Sequence, residues 1–399
     1  VKYTVKSVLI FLWVLSAPLA FAQQQQGQVL RDVAGWTQEI TGSLAAARNL
    51  KVESVAGFIQ VQGGAQNNIT YTIRKRAFRS SEAEARRLLA GLRIVTRQLG
   101  DTVYIGAEYP GSRHVNNLMA EINITVPRQT ALATLDTRGG SVGVRGIAGE
   151  VQAQTSGGSI SLDDIGGAAS AHTMGGSIHA DGIGGDAKLE TAGGSIDVGS
   201  VAGVVTASTS GGTIHVRDAK KSANVESDGG SISVQHCNGQ LNAQTAGGSI
   251  EIGDAGAGAV LETAGGTIRL ASANGAVKAS TAGGGIRLTN LGRGVNAETS
   301  AGSIEAEFVS AENFSESHLS TNAGDIIVYV PSDLNANLRA EIEMANGHNI
   351  YSDFAGLKTS TEGGQWGPQT IFAEGQLNSG GPLLRVHTMN GNIQIRRRH

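Results

Sequence analysis

One cysteine, Cys237, stands in a chain of 399 residues. A single thiol excludes any intramolecular disulfide, and it leaves no spaced cysteines to hold structural zinc. Aromatic residues make up only 4%, so there is no large aromatic core and few flat platforms for stacking on bases or sugars. Positive charge is not in excess either. The formal net charge is −3, and nothing in that balance recommends nucleic acid as a partner. Beyond the first 22 residues no apolar run is long enough to span a bilayer as a helix. A phosphate-binding Gly-x-x-x-x-Gly-Lys-Ser/Thr loop and a nucleophile elbow are both missing.

Glycine is abundant, with 57 residues, and it is periodic. A Gly-Gly pair returns every 18 residues from Gly139-Gly140 through Gly157-Gly158 and Gly175-Gly176 to Gly283-Gly284, with Ala301-Gly302 as a tenth copy. A fixed period of this length means one small unit stacked on itself. The fourth position of the unit is Val142 and then Ile160, Ile178, Ile196, Ile214, Ile232, Ile250, Ile268, Ile286 and Ile304. Two residues on lie Val144, Leu162, Ala180, Val198 and their successors, with polar or small residues between. That alternation describes a strand with one buried face. The second half of the unit alternates as well, as in Val205, Ala207 and Thr209, and no segment of the repeat has helical periodicity. Each unit is therefore two short strands joined by turns, and neither strand covers its apolar face alone. Stacking in register at ~4.8 Å per coil gives a rod on the order of 45–50 Å long. The fold class is all-β: a single-stranded parallel β-helix, or β-solenoid, with 18-residue coils. Its inward positions are half Ala or Thr, so the interior is expected to be narrow and without a ligand cavity.

The glycine pairs are expected at corners that need positive φ. Ser or Thr follows most pairs, and Thr ends most second strands, so two ladders of stacked hydroxyls are expected along the rod. Cys237 falls in a turn column otherwise held by Ile147, Ile165, Ile183 and Val201, where it reads as a small buried hydrophobe.

Residues 1–22 read as a secretory signal peptide: Lys2 and Lys6, an apolar run from Val8 to Leu15, and Ala20-Phe21-Ala22 before Gln23. Its removal would take two lysines and make the charge more negative. Residues 23–136 form an N-terminal flank and capping β region with one helix, marked by Ser81 and Glu84 as a capping box and by Ala85, Leu88, Leu89 and Leu92 on one face. That helix is expected to cover an open end of the rod. The regular repeats occupy 137–309, and irregular C-terminal coils and a cap occupy 310–399. Within them, Asp325-Ile-Ile-Val-Tyr-Val-Pro331 echoes Glu121-Ile-Asn-Ile-Thr-Val-Pro127, and Thr388-Met-Asn-Gly-Asn-Ile matches Thr173-Met-Gly-Gly-Ser-Ile. The chain thus reads as two versions of one module that ends on one more coil. Arg396-Arg397-Arg398-His399 reads as a solvated tail.

The Val-Pro strands, the Thr-x-Gly-Gly-Ser-Ile coils and the segment Gly380–Ile393 (Gly-Gly-Pro-Leu-Leu-Arg-Val-His-Thr-Met-Asn-Gly-Asn-Ile) together resemble the bacterial putative adhesin family. This is a group of exported β-solenoid domains of unknown function related to head-GIN-type adhesin domains. The resemblance covers about residues 45–395. It implies a β-helical fold and an exported location, and its motifs carry no catalytic residues.

Three surface constellations invite chemistry. A nine-residue sub-period suggests calcium-binding rolls, but Ile stands where such a roll needs Gly, and Val, Leu or Ala where it needs the ligand Asp. His179, Asp197 and His215 share one outward position on three successive coils. Histidine and carboxylate so stacked are the residue types that hold Zn²⁺ or move protons; the simpler reading, with no third histidine in the neighbouring columns, is that they belong to a freely varying polar column. Asp163, Asp164 and Asp181 lie near one turn edge with Arg145 and Arg217 in the neighbouring column, as carboxylates and cations do in β-helical polysaccharide lyases, and as turn aspartates do anywhere. Arg269 and Arg287 with Glu251 and Glu305 form a surface charge ladder. The expected function is a cell-envelope binding or structural module without a catalytic centre or cofactor. It would sit in the periplasm or on the cell surface and engage an envelope protein or glycan. The alternative is a carbohydrate-active enzyme using surface Asp and His residues, which rests on fold analogy.

Overall fold

The computed structural model describes residues 23–33, 35–110, 117–363 and 369–398. The leader expected at 1–22 and the terminal His399 lie outside them. The chain is a parallel β-solenoid. Each regular coil gives one strand to each of two sheets, as Ile178–Ile183 and Ala187–Thr191 do. We name these the Ile sheet and the Thr sheet. Pairing steps by 18 residues throughout: Ile178 opposes Ile196, and Ala187 opposes Val205. The alternation in sequence becomes alternation in burial. Ile178, Ala180 and Ile183 are 0–2% exposed, as are Ala187 and Leu189, while His179 and Lys188 face out. Burying one such Ile or Leu stabilises by roughly 1.5–3 kcal/mol, and the column repeats it at every coil. Cys237 lies in its turn column fully buried, and desolvation pushes its thiol pKa up.

The glycine pairs serve a purpose different from the expected one. None of them adopts a positive φ among the described residues. From Gly158 to Gly284 the second glycine of each pair instead sits directly over the second glycine of the coil below, and Gly140 sits over Gly57. A Cβ on Gly194 would collide with the Gly176 carbonyl, and a Cβ on Gly212 with the Gly194 carbonyl. The first glycine is looser, since a Cβ on Gly193 would lie 3.7 Å from the nearest atoms. Close approach of backbones, not turn conformation, selects glycine here.

The threonine column also differs from a hydroxyl ladder. Thr173 Oγ1 donates to the Gly158 carbonyl of the preceding coil at 2.8 Å and accepts the Gly176 N–H of its own corner at 3.3 Å. The same clamp recurs at Thr191, Thr209, Thr245, Thr263 and Thr281, and with Ser227 in place of threonine. Its donor half extends to the edges of the regular repeats, where Thr137 donates to Gly57, Thr321 to Gly302 and Thr388 to Gly324. The serine column pairs differently. The backbone N–H of Ser177 donates to Ser159 Oγ at 3.3 Å, and hydroxyl meets hydroxyl at Thr213–Ser195 and Thr267–Ser249.

Both ends depart from sequence order. Asn49–Ser54 lies between Leu132–Thr137 and Thr102–Glu108, and Ile59–Gly64 lies between Val142–Ile147 and Leu118–Pro127. The coil made first is thus second in the stack. At the far end Leu383–Asn390 is inserted between Ser317–Ala323 and Ala336–Ile342, and Ile393–Arg397 between Ile326–Val330 and Ile350–Ser352. Residues 383–397 do form one more coil, but that coil is interior. Outside these coils the strands turn antiparallel: Asn68–Ala77 pairs with Leu118–Pro127, and Thr370–Leu377 with Ala336–Ile342. Antiparallel excursions cannot continue an 18-residue stack, so they end it and blunt its edges.

The helix Glu82–Gly91 is present and buries Ala85 and Leu89 against the N-terminal cap strands Gly35–Ala45 and Asn68–Ala77. Ser81 is its N-cap residue, yet its side chain makes no capping bond, so the expected capping box does not form. The buried Lys75 ties this helix down by donating to the Leu89 carbonyl at 3.2 Å. The C-terminal arginines are solvent-accessible, as expected of a tail, but each has a fixed partner. Arg396 pairs with Asp353 at 3.0 Å, Arg397 stacks over Phe354 at 5.0 Å, and Arg398 pairs with Glu307 at 2.6 Å.

Two substitutions separate these roles. Gly194→Ala should destabilise by ~1–3 kcal/mol through overpacking, while Gly193→Ala should be near neutral, as read from denaturant midpoints. Thr173→Val leaves a carbonyl and an N–H unpaired and should cost ~1–3 kcal/mol; Thr173→Ser, which the Ser227 coil already tolerates, should recover most of it.

Candidate functional site

The most developed outward feature lies on the Ile sheet near the N-terminal end. Gln60, Gly143, Ser161, His179, Asp197 and His215 stand in register as one column. Beside it at the corner run Ser141, Ser159, Ser177 and Ser195. Phe58 occupies the serine position of the preceding coil and is 42% exposed. A Cβ on Gly143 would meet the Gln60 carboxamide, so the Gln60 side chain lies across Gly143. Between the column and the serines is an open groove of about 480 Å³, with Phe58 at one end and the His179–Asp197 pair at the other.

The structure brings together only part of the expected His–Asp–His column. His179 Nδ1 lies 2.9 Å from Asp197 Oδ2, and its Nε2 lies 3.6 Å from Asp163 Oδ1. His179 is therefore flanked by two carboxylates, one from the coil above and one from the coil below. His215 continues the register opposite Asp197, but His179 hydrogen-bonds Asp197 alone and meets Asp163 only as a longer ion-pair contact. These side chains are 35–56% exposed, and such pairs contribute little to stability, ~0–1 kcal/mol.

The three aspartates of the turn edge disperse to separate partners. Asp163 accepts from Ser161 Oγ at 3.0 Å. Asp164, at φ +54°, takes a bidentate grip from Arg128 at 2.8 and 3.0 Å. Asp181 accepts from the Ser200 N–H at 2.8 Å, Arg217 at 2.8 Å and the Gly182 N–H at 2.9 Å. Those contacts, the Ser200 N–H foremost, hold the Asp181 carboxyl below its ordinary value. Arg217 was visible in the sequence column; Arg128 was not, because it comes from the capping flank and outside the repeat. Arg287 meets Glu305 at 3.5 Å, as a surface ladder would.

A second open groove, about 570 Å³, follows the threonine corner past Glu226, Asp228, Gln244 and Glu262. Among the described residues, one group of three His, Cys, Asp or Glu side chains brings its ligand atoms within 4.8 Å of one another: Glu341, Glu343 and His387. Reading the chain by 18-residue columns misses this group, because Glu341 and His387 become neighbours only through the inserted terminal coil. Glu341-x-Glu343 alternation on a strand was the available signal.

No protein-family model matches the chain, and no curated protein matches it. Several solved structures are similar to it at low identity, three of which follow. A putative cell adhesion protein from Clostridium sporogenes is 10% identical, over 95% of this chain and 100% of that one, with a TM-score of 0.21. A putative adhesin from Bacteroides fragilis is 15% identical, over 73% and 97%, with a TM-score of 0.22. A putative adhesin from Parabacteroides distasonis is 14% identical, over 74% and 98%, with a TM-score of 0.28. At TM-scores this low the likeness carries nothing about function.

The Asp181 contacts generate a pH expectation. A carboxyl held low when folded contributes stability that is present above its unfolded value and lost as pH falls through its folded one. Side-chain NMR titration should place Asp181 below the ordinary aspartate value. Arg217→Gln should raise it only in part, because the Ser200 N–H remains.

Proposed function

We propose that this chain is an exported, adhesin-like binding module of the bacterial envelope that acts without a catalytic centre. The observation that carries this reading is the groove from Phe58 to Asp197. An exposed aromatic face, a run of serine hydroxyls, and an imidazole–carboxylate end lie along one rigid sheet. Such a strip suits a glycan or an extended polar loop of an envelope protein: the aromatic ring takes the apolar face of the ligand and the hydroxyls take its polar edge. A rod that presents similar shallow strips along its length adds weak contacts into avidity.

The enzyme reading would need two carboxylates facing one bond with a defined gap between them. Here Asp164 and Asp181 are each committed to a different arginine, and Asp163 and Asp197 both turn to His179. That division of partners favours binding over catalysis.

A glycan array and a pull-down from envelope fractions, both with the full chain, test the proposal. Phe58→Ala and Asp197→Ala should each weaken capture about tenfold, equivalent to ~1.4 kcal/mol, without changing the far-UV spectrum. Polysaccharide cleavage that disappears in Asp197→Ala or Asp163→Ala would replace this reading with the enzyme one.

A further inference from the structure

The C-terminal end carries a second arrangement that the binding groove does not use. Glu341 lies on Ala336–Ile342 and Glu343 immediately follows it, so the two share one outward face. His387, on Leu383–Asn390, is the register partner of Glu341 on the adjacent parallel strand. Neighbouring strands lie ~4.8 Å apart, which places one imidazole against two carboxylates. His387 Nε2 stands 3.1 Å from Glu343 Oε1. On the opposite side of His387 its register partner is Ser320, whose Oγ is 3.2 Å from His387 Nδ1. The imidazole is thus held at both nitrogens and its side chain is only 23% exposed.

That arrangement separates the two nitrogens by role. When Nδ1–H donates to Ser320 Oγ, Nε2 presents its lone pair to the space shared with Glu341 and Glu343. Metal-bound histidines are oriented in this way, by a bond from the nitrogen that does not touch the ion. We propose that Glu341, Glu343 and His387 bind one divalent transition-metal ion, best suited to Zn²⁺. One imidazole and two carboxylates form a borderline donor set that suits zinc and its neighbours, whereas Ca²⁺ and Mg²⁺ demand oxygen alone. Two carboxylates and a neutral imidazole also balance a doubly charged ion. The nearby cations stand one step back along their strands, at Arg339 and Arg385, and Arg339 is engaged by Glu374 at 3.1 Å. Three protein ligands leave a coordination position for water or for a ligand oxygen.

The position of the site gives it a structural consequence. His387 belongs to the terminal coil that inserts into the stack, and Glu341 and Glu343 belong to the coil it displaces outward. An ion bridging them fastens the last segment of the chain to the C-terminal cap.

The test uses the full chain, stripped with chelator and titrated calorimetrically with Zn²⁺, Ca²⁺ and Mg²⁺, with thermal unfolding read in parallel. The expected result is one equivalent of Zn²⁺, a raised melting temperature, and no comparable uptake of Ca²⁺ or Mg²⁺. His387→Ala and the isosteric double variant Glu341→Gln/Glu343→Gln should lose that equivalent. Ser320→Ala should weaken it by about 10–100-fold. His179→Ala, in the groove toward the other end, and His172→Ala, whose imidazole meets Glu190 at 3.5 Å on the Thr sheet, should keep it. Should His387→Ala fold poorly, the double variant decides, provided its metal-free melting temperature matches that of the parent. Absence of Zn²⁺ uptake by the parent, or uptake unchanged in the folded double variant, overturns the proposal.

Discussion

The structure depends on how closely two coil corners can approach. At each corner one backbone passes over another with no room for a Cβ, and a buried hydroxyl closes the gap by bonding to both. Glycine supplies the approach and threonine supplies the bond. Together they satisfy a carbonyl and an N–H that the tight turn would otherwise leave unpaired in a buried place, a cost of ~1–3 kcal/mol per group. Because the clamp joins each coil only to its neighbour, it sets the stacking distance locally and lets the same unit repeat without limit. The isoleucine column then fills an interior whose width the corners have already set.

A structure that propagates by repetition must be stopped by something that does not repeat. Both ends use the same device. An out-of-order coil is inserted, and antiparallel strands lie outside it. At the N-terminal end the helix and the buried Lys75 complete the cap; at the C-terminal end three arginines tie the last strand to Asp353, Phe354 and Glu307. At the caps the side chains of segments tens of residues apart in sequence meet outside the 18-residue register. The cluster of Glu341, Glu343 and His387 is a product of that meeting.

Along the regular body the outward columns are free to vary, because neither the clamp nor the core constrains them. Their charges are compensated pairwise between adjacent or next-adjacent coils, as at His179–Asp197 and Arg217–Asp181. The result is a long polar surface with shallow grooves, and Phe58 introduces an exposed ring where the cap meets the first regular coil.

The amino-acid sequence by itself determined the solenoid, its 18-residue register, the buried Ile column and the outward stacking of His179, Asp197 and His215. All of these follow from period and alternation, which are local and repeat at every coil. Only the tertiary structure decided why the glycines are glycine, since the collision they avoid is with a residue 18 positions away and leaves no mark on φ. It also decided that threonine bonds backbone and not its own column, that Asp164 answers to Arg128, and that Ser81 caps without its side chain. The order of the end coils was beyond reach for the same physical reason. A strand's face can be read from its own residues, but which strand lies beside it depends on the path of the chain through space.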